Sequence, residues 1–230
     1  GEVKYMSLKT DLKIFDKDLR GILKRGNNVL VLGPPMSGKR ALLIRFIYTG
    51  LKEGEAGIFV VTDHTVDEVR KIFRDFGLEV GEYEKEGLLT YVDLYSKTAG
   101  LRSDEHNYVR YVPNVGDITT LAVVLNDLIS DVASKGRHLR LAFDNLTTLF
   151  LYNETKKVVR FLHVLFGKLR AVKAIGLFSL DTCIPHQDVL TIEGMVNGVL
   201  EIKKERGEVY VRFRSFSFST DWVKYDLLVD

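Results

Sequence analysis

Apolar positions along this 230-residue chain alternate between two spacings. Over residues 8–25, Leu8, Leu12, Phe15, Leu19, Ile22 and Leu23 recur every three or four positions, the spacing of one helix face. Short unbroken apolar runs follow at 28–32 (NVLVL), 57–62 (GIFVVT), 87–95 (GLLTYVDLY), 138–144 (HLRLAFD) and 174–179 (AIGLFS). Runs of that length bounded by turn residues predict strands buried on both faces. Between them the helical spacing returns over 39–50, 65–76, 118–134 and 156–173, with Thr65 placed as an N-cap. Residues 96–116 are polar and irregular and predict a surface loop. From Gly198 onward residues alternate and then reverse at Arg206-Gly207, which predicts a hairpin. Strands alternating with helices predict an α/β fold: a mostly parallel twisted sheet, helices on both faces, and an antiparallel C-terminal edge.

Composition narrows this picture. The length suits one α/β domain over 1–230, with the hairpin and tail from about 198 as its last part. Hydrophobic residues make up 46% and charged residues 28%, a globular and not a disordered balance. No apolar run nears the roughly 18 residues that span a bilayer, so no membrane partner is expected. The first residues, GEVKYMSLKT, contain no apolar stretch of a signal peptide. Cys183 is the only cysteine, which excludes an internal disulfide and suits a reducing cytoplasm. Net charge is +2 with the signs mixed, weak support for nucleic acid as a partner. Gln187 is the only glutamine beside many charges, a composition that suits a thermophile.

Candidate chemistry centres on Gly33-Pro34-Pro35-Met36-Ser37-Gly38-Lys39, which satisfies G-x-x-x-x-G-K. Glycines let the backbone curl so that successive N–H groups face one centre. The following helix adds its positive N-terminal end, and the lysine reaches the outer phosphates. The segment lies between an apolar strand and a helix, the context a phosphate loop requires. The next residue, expected to be Ser or Thr for its metal-binding hydroxyl, is Arg40. A guanidinium has five donors and no lone pair, so it cannot ligate Mg²⁺. Two dispositions stay open. Arg40 points away and leaves Mg²⁺ to water, phosphate and a carboxylate, or it reaches the phosphates and supplies charge the metal would bring. Asp144 ends an apolar strand, where a carboxylate emerges beside the phosphates and holds a Mg²⁺-bound water; capping the next turn is its alternative. His106, His138, His163 and His186 show no metal-ligand spacing.

Flanking segments extend the match. Residues 15–26 (FDKDLRGILKRG) resemble the "LD-x-x-L-x-GGI-x-x-G" lead-in of KaiC-like and RadA-like ATPases. Phe143-Asp144-Asn145-Leu146-Thr147 is similar to their strand-borne "D-S-L-S", and Val196-Asn197-Gly198-Val199-Leu200 to their "A-D-G-V-I". The resemblance covers nearly the whole chain and implies a RecA-like core with ATP as its ligand. It also implies catalytic positions. A glutamate pair expected after the second strand is matched here by Asp63 and His64: Asp63, a methylene shorter, stands at the position of the base, and His64 is open as base, phosphate contact or plain turn residue. A K-x-R pair that crosses to a neighbour's triphosphate is matched by Arg212 and Arg214, alternate strand positions that share one face. An ordinary solvated edge is the alternative there. If the pair acts in trans, the protein is a homo-oligomer. Three functions follow: a nucleotide-binding protein with slow or absent hydrolysis, a Mg²⁺-dependent ATPase, or a recombinase-related DNA-binding module. The last lacks a dense basic stripe beyond Lys203-Lys204-Arg206 at the hairpin tip.

Overall fold

A computed structural model describes residues 23–225. Among these described residues nine strands form one sheet: β1 (Asn28–Gly33), β2 (Ala56–Val61), β3 (Leu89–Asp93), β4 (Val109–Tyr111), β5 (Leu139–Asp144), β6 (Ile175–Asp181), β7 (Gly198–Glu205), β8 (Glu208–Ser215) and β9 (Val223–Lys224). Their order is β4-β3-β2-β5-β6-β1-β7-β8-β9, parallel through β7 and antiparallel for the last two pairings. β1 and β2 are buried at every position, as their unbroken apolar sequences require of strands covered on both faces. The helices are α1 (Lys39–Lys52), α2 (Val66–Asp75), α3 (Gly81–Lys85), α4 (Ile118–Ser134), α5 (Leu146–Tyr152), α6 (Thr155–Ala171) and α7 (His186–Glu193).

Direction along the sheet decides which face each helix covers. The crossover from β1 through α1 to β2 runs one way; those from β4 through α4 to β5, and from β5 through α6 to β6, run the other. Parallel crossovers are right-handed, so α1 covers one face while α4 and α6 pack together on the opposite one. The core between them includes Leu30, Leu43, Phe59, Phe143, Phe166 and Phe178, all fully buried.

Most predicted elements are present, with informative departures. The expected loop over 96–116 contains the three-residue edge strand β4, too short to show a period. The strand expected over 174–179 runs on to Asp181. Helices α3, α5 and α7 were not legible, being five to eight residues long, too short to show an apolar stripe; only α5 has a side-chain cap, from Asn145. The helix expected over 8–25 lies almost wholly outside the described residues; Leu23, Lys24 and Arg25 are not helical. There the chain turns at Gly26, at φ +92°, whose N–H bonds the Ala174 carbonyl at 2.8 Å. The hairpin is as expected: Arg206 and Gly207 both have positive φ, the two-residue turn whose twist suits paired strands. Thr65 caps α2 reciprocally with Glu68.

Candidate functional site

Sheet order sets the carboxyl ends of β2, β5, β6 and β1 side by side, the edge where open α/β sheets bind ligands. Register aligns Val61 with Asp144 and Gly33 with Asp181. Between β1 and α1 the loop 33–39 curls as its glycines predict. Gly38 caps α1 at φ +93°, a conformation side chains resist, and Met36 joins it at φ +57°. A Cβ on Gly33 would lie 2.9 Å from the Ile202 carbonyl oxygen. No side chain caps the first turn of α1, so its N–H groups face a cavity of about 490 Å³. Pro35, Met36, Ser37, Gly38, Lys39 and Arg40 line that cavity on one side. Asp63, His64, Asp144 and Asp181 line another, and Ile72 and Phe76 of α2 add an apolar wall.

Lys39 folds back into the loop. Its Nζ donates to the carbonyls of Gly33 at 2.9 Å and Pro34 at 2.6 Å, and pairs with Asp181 at 2.7 Å. Ser37 is buried and lies 3.3 Å from the same nitrogen. Asp181 is a site residue that sequence reasoning missed. Its signal was available, because it ends an apolar strand just as Asp144 does.

Arg40 does not turn away from the site. Its Nε donates to Asp144 Oδ2 at 2.5 Å, and its Nη2 lies 3.3 Å from both Asp144 Oδ1 and Asp63 Oδ1. Its Nη1 lies 2.6 Å from His64 Nε2. His64 Nδ1 lies 3.0 Å from Arg40 Nη2 and 2.9 Å from Asp63 Oδ1, so both ring nitrogens face the guanidinium. Asn145, another residue not singled out from sequence, donates to Asp63 Oδ2 at 3.0 Å while its carbonyl oxygen Oδ1 caps α5. One cation therefore gathers two carboxylates and an imidazole.

The electrostatics follow from burial and these contacts. Burial pushes the Asp144 carboxyl above its ordinary value, against the pull of Arg40. Burial also works against the Arg40 charge, but Asp144 and then Asp63 outweigh it and its pKa is raised. Burial pushes Asp63 up, yet the His64 bond and charge, with Arg40 and Asn145, hold it below the ordinary carboxylate value. The Asp63 bond raises His64, opposed by burial and by Arg40.

Mg²⁺ does not suit this donor set. The hydroxyl expected after Lys39 is replaced by a group without lone pairs, and that group engages both oxygens of Asp144. Among the described residues no cluster of three His, Cys, Asp or Glu side chains could hold a metal.

Arg212 and Arg214 share one face of β8, with Phe213 buried on the other. They lie outside the loop's own cavity and line a separate one of about 530 Å³. Arg212 pairs with Glu201 at 2.9 Å; Arg214 pairs with Glu201 and, at 2.7 Å, with Glu193. Trp222 covers the hairpin, stacked by Lys203 and Arg212. Among the described residues no helix is long and apolar enough to cross a membrane.

Comparison with known proteins adds independent findings. A family model described as "ATPase: KaiC" matches residues 8–217. A UPF0273 protein of Methanopyrus kandleri is 33% identical over 75% of this chain and 65% of its own length. One from Aeropyrum pernix is 35% identical over 63% of this chain and 56% of its own. One from Thermotoga maritima is 31% identical over 75% and 67% respectively. The chain thus spans between about half and two thirds of the relatives it matches. A solved KaiC-like protein of Pyrococcus horikoshii superposes with a TM-score of 0.69 at 21% identity, over 91% of this chain and 88% of that one, a likeness of fold.

Proposed function

Since the chain belongs to the KaiC ATPase family, we propose that it is a member that binds ATP and hydrolyses it slowly or not at all. Bound nucleotide then acts as a regulatory or assembly ligand, favouring one state of the protein by its differential affinity. The observation that carries this reading is the placement of Arg40 between Asp144, Asp63 and His64. That guanidinium supplies positive charge beside the loop without a metal. It also ties up Asp63, the residue at the position of the base, which must be free to take a proton from water. The loop keeps what capture of a polyphosphate needs: curled amides, an uncapped helix start, and Lys39 exchanging Asp181 for phosphate oxygens.

A thermal-shift series with ATP, ADP and GTP, each with Mg²⁺ and with EDTA, tests the reading. At roughly 100 times its dissociation constant ATP is expected to stabilise the fold by about 2.7 kcal/mol, and to do so in EDTA as well. Stabilisation that vanishes in EDTA, accompanied by Mg²⁺-dependent phosphate release, sinks the proposal.

The half-buried arginine face of β8 favours a second reading, an active ATPase assembled from several copies. There Lys39 holds phosphate, Asp63 is the base, and Arg212 and Arg214 reach a neighbour's nucleotide. Arg40→Thr separates the two. Turnover that rises in the variant means the native arginine suppresses chemistry; turnover that falls means it takes part.

A further inference from the structure

Away from the loop, α4 and α6 enclose a groove of about 390 Å³. Leu125, Phe161 and Leu165 form its floor. Val123 and Val164 stand on its walls, 56% and 50% exposed, though each sits in the middle of a helix that otherwise packs its apolar residues inward. The rim on the α6 side carries Lys157, Arg160 and Lys168. Among the described residues none of the three has a carboxylate at ion-pair distance; Lys157 acts only at longer range, on Asp117. Two other lysines do pair, Lys71 with Asp75 and Lys135 with Asp131.

We infer that this groove is a docking site for an amphipathic helix of a partner protein, apolar on one face and acidic at both ends. Spacing defines the occupant. Lys157, Arg160, Phe161, Val164, Leu165 and Lys168 follow the i, i+3, i+4, i+7 pattern, so they form one stripe with cations at its ends and apolar groups between. The eleven helical steps from Lys157 to Lys168 span about 16 Å. A partner helix of about three turns matches that length, with apolar anchors in its middle and Asp or Glu at its ends. Charge complementarity picks the acidic partner over a basic one. A nucleic acid would need a continuous track of cations, whereas these are interrupted by valine, leucine and phenylalanine. A lipid surface would favour a projecting apolar face, and this one is concave.

The test uses the full chain and a fluorescent synthetic three-turn peptide with leucines at i, i+3, i+4 and i+7 and glutamates at both ends. Its Lys-for-Glu counterpart, a single-stranded oligonucleotide and phosphatidylserine vesicles are the comparison probes. The acidic peptide is expected to bind by anisotropy at least about tenfold more tightly than the basic one. Lys157→Glu with Arg160→Glu, both exposed positions, should reverse that preference, and Val164→Asp should abolish binding, with melting curves confirming that each variant folds. Hydrogen exchange should slow on α4 and α6 when the acidic peptide is present. Equal binding of the two peptides, binding of neither, or oligonucleotide or vesicle binding lost in the same variants would each overturn the inference.

Discussion

Two of the places where arginines meet carboxylates in this molecule differ in their access to water. At the loop, Arg40 is 24% exposed and its partner Asp144 only 6%. On the hairpin, Arg212 and Arg214 are 36% and 35% exposed, against Glu201 and Glu193 at about half that. A buried carboxylate cannot trade its partner for water, so removing that partner leaves a charge with nothing to solvate it. An exposed pair makes that trade at little cost. The same residue type is therefore a fixed part of the phosphate edge in one place. In the other it is a set of donors with more access to solvent.

The largest expected effect falls on the buried cluster. Arg40→Ala should destabilise the fold by about 3 kcal/mol, read as a lower urea midpoint, because Asp144 keeps its burial and loses its main counter-charge. A loss near zero would mean that Asp63, His64 and water already solvate this edge, and the contrast would fall. Next comes the ligand effect: Lys39→Ala should remove the stabilisation of about 2.7 kcal/mol that saturating ATP confers, in addition to lowering the melting curve without nucleotide, because Asp181 loses its buried partner.

A pH series sharpens the comparison. Asp144 holds its proton more tightly folded than unfolded, because burial raises its pKa. The folded state thus binds more protons between the raised value and the ordinary one, and stability gains as pH falls through that window. In Arg40→Ala the opposing charge is gone and the window widens upward. The deficit of the variant against the native protein should therefore shrink as pH is lowered from neutral toward the carboxylate range. A deficit that stays constant with pH would rule out Asp144 as the uncompensated group. The smallest effect is expected on the hairpin, where Arg214→Ala should cost roughly 0–1 kcal/mol. A cost equal to that of Arg40→Ala would erase the distinction. If the pair serves a neighbouring copy, the same variant should weaken nucleotide-dependent assembly in sedimentation while its melting curve barely moves.

Features carried by consecutive residues were readable from the chain alone. The loop 33–39 is one: its bend depends on the conformational freedom of Gly38 and on its place between a strand and a helix, both local properties. The buried parallel strands, the α4 span and the Arg206-Gly207 turn belong to the same class, because period and turn chemistry act over a few residues. Arg40 was visible as a group that cannot ligate metal, but both of its dispositions stayed open in the sequence. Only tertiary structure shows where it goes, to the carboxylates of Asp144 and Asp63 and the imidazole of His64. Asp63 and His64 lie 23 and 24 positions from Arg40 and Asp144 lies 104 away, and the strand order β2-β5-β6-β1 brings them to one edge. That order also delivers Asp181 to Lys39, a pairing no local pattern encodes. A cation surrounded by acids settles where desolvation and charge balance over the whole fold, and that balance exists only once the strands are side by side.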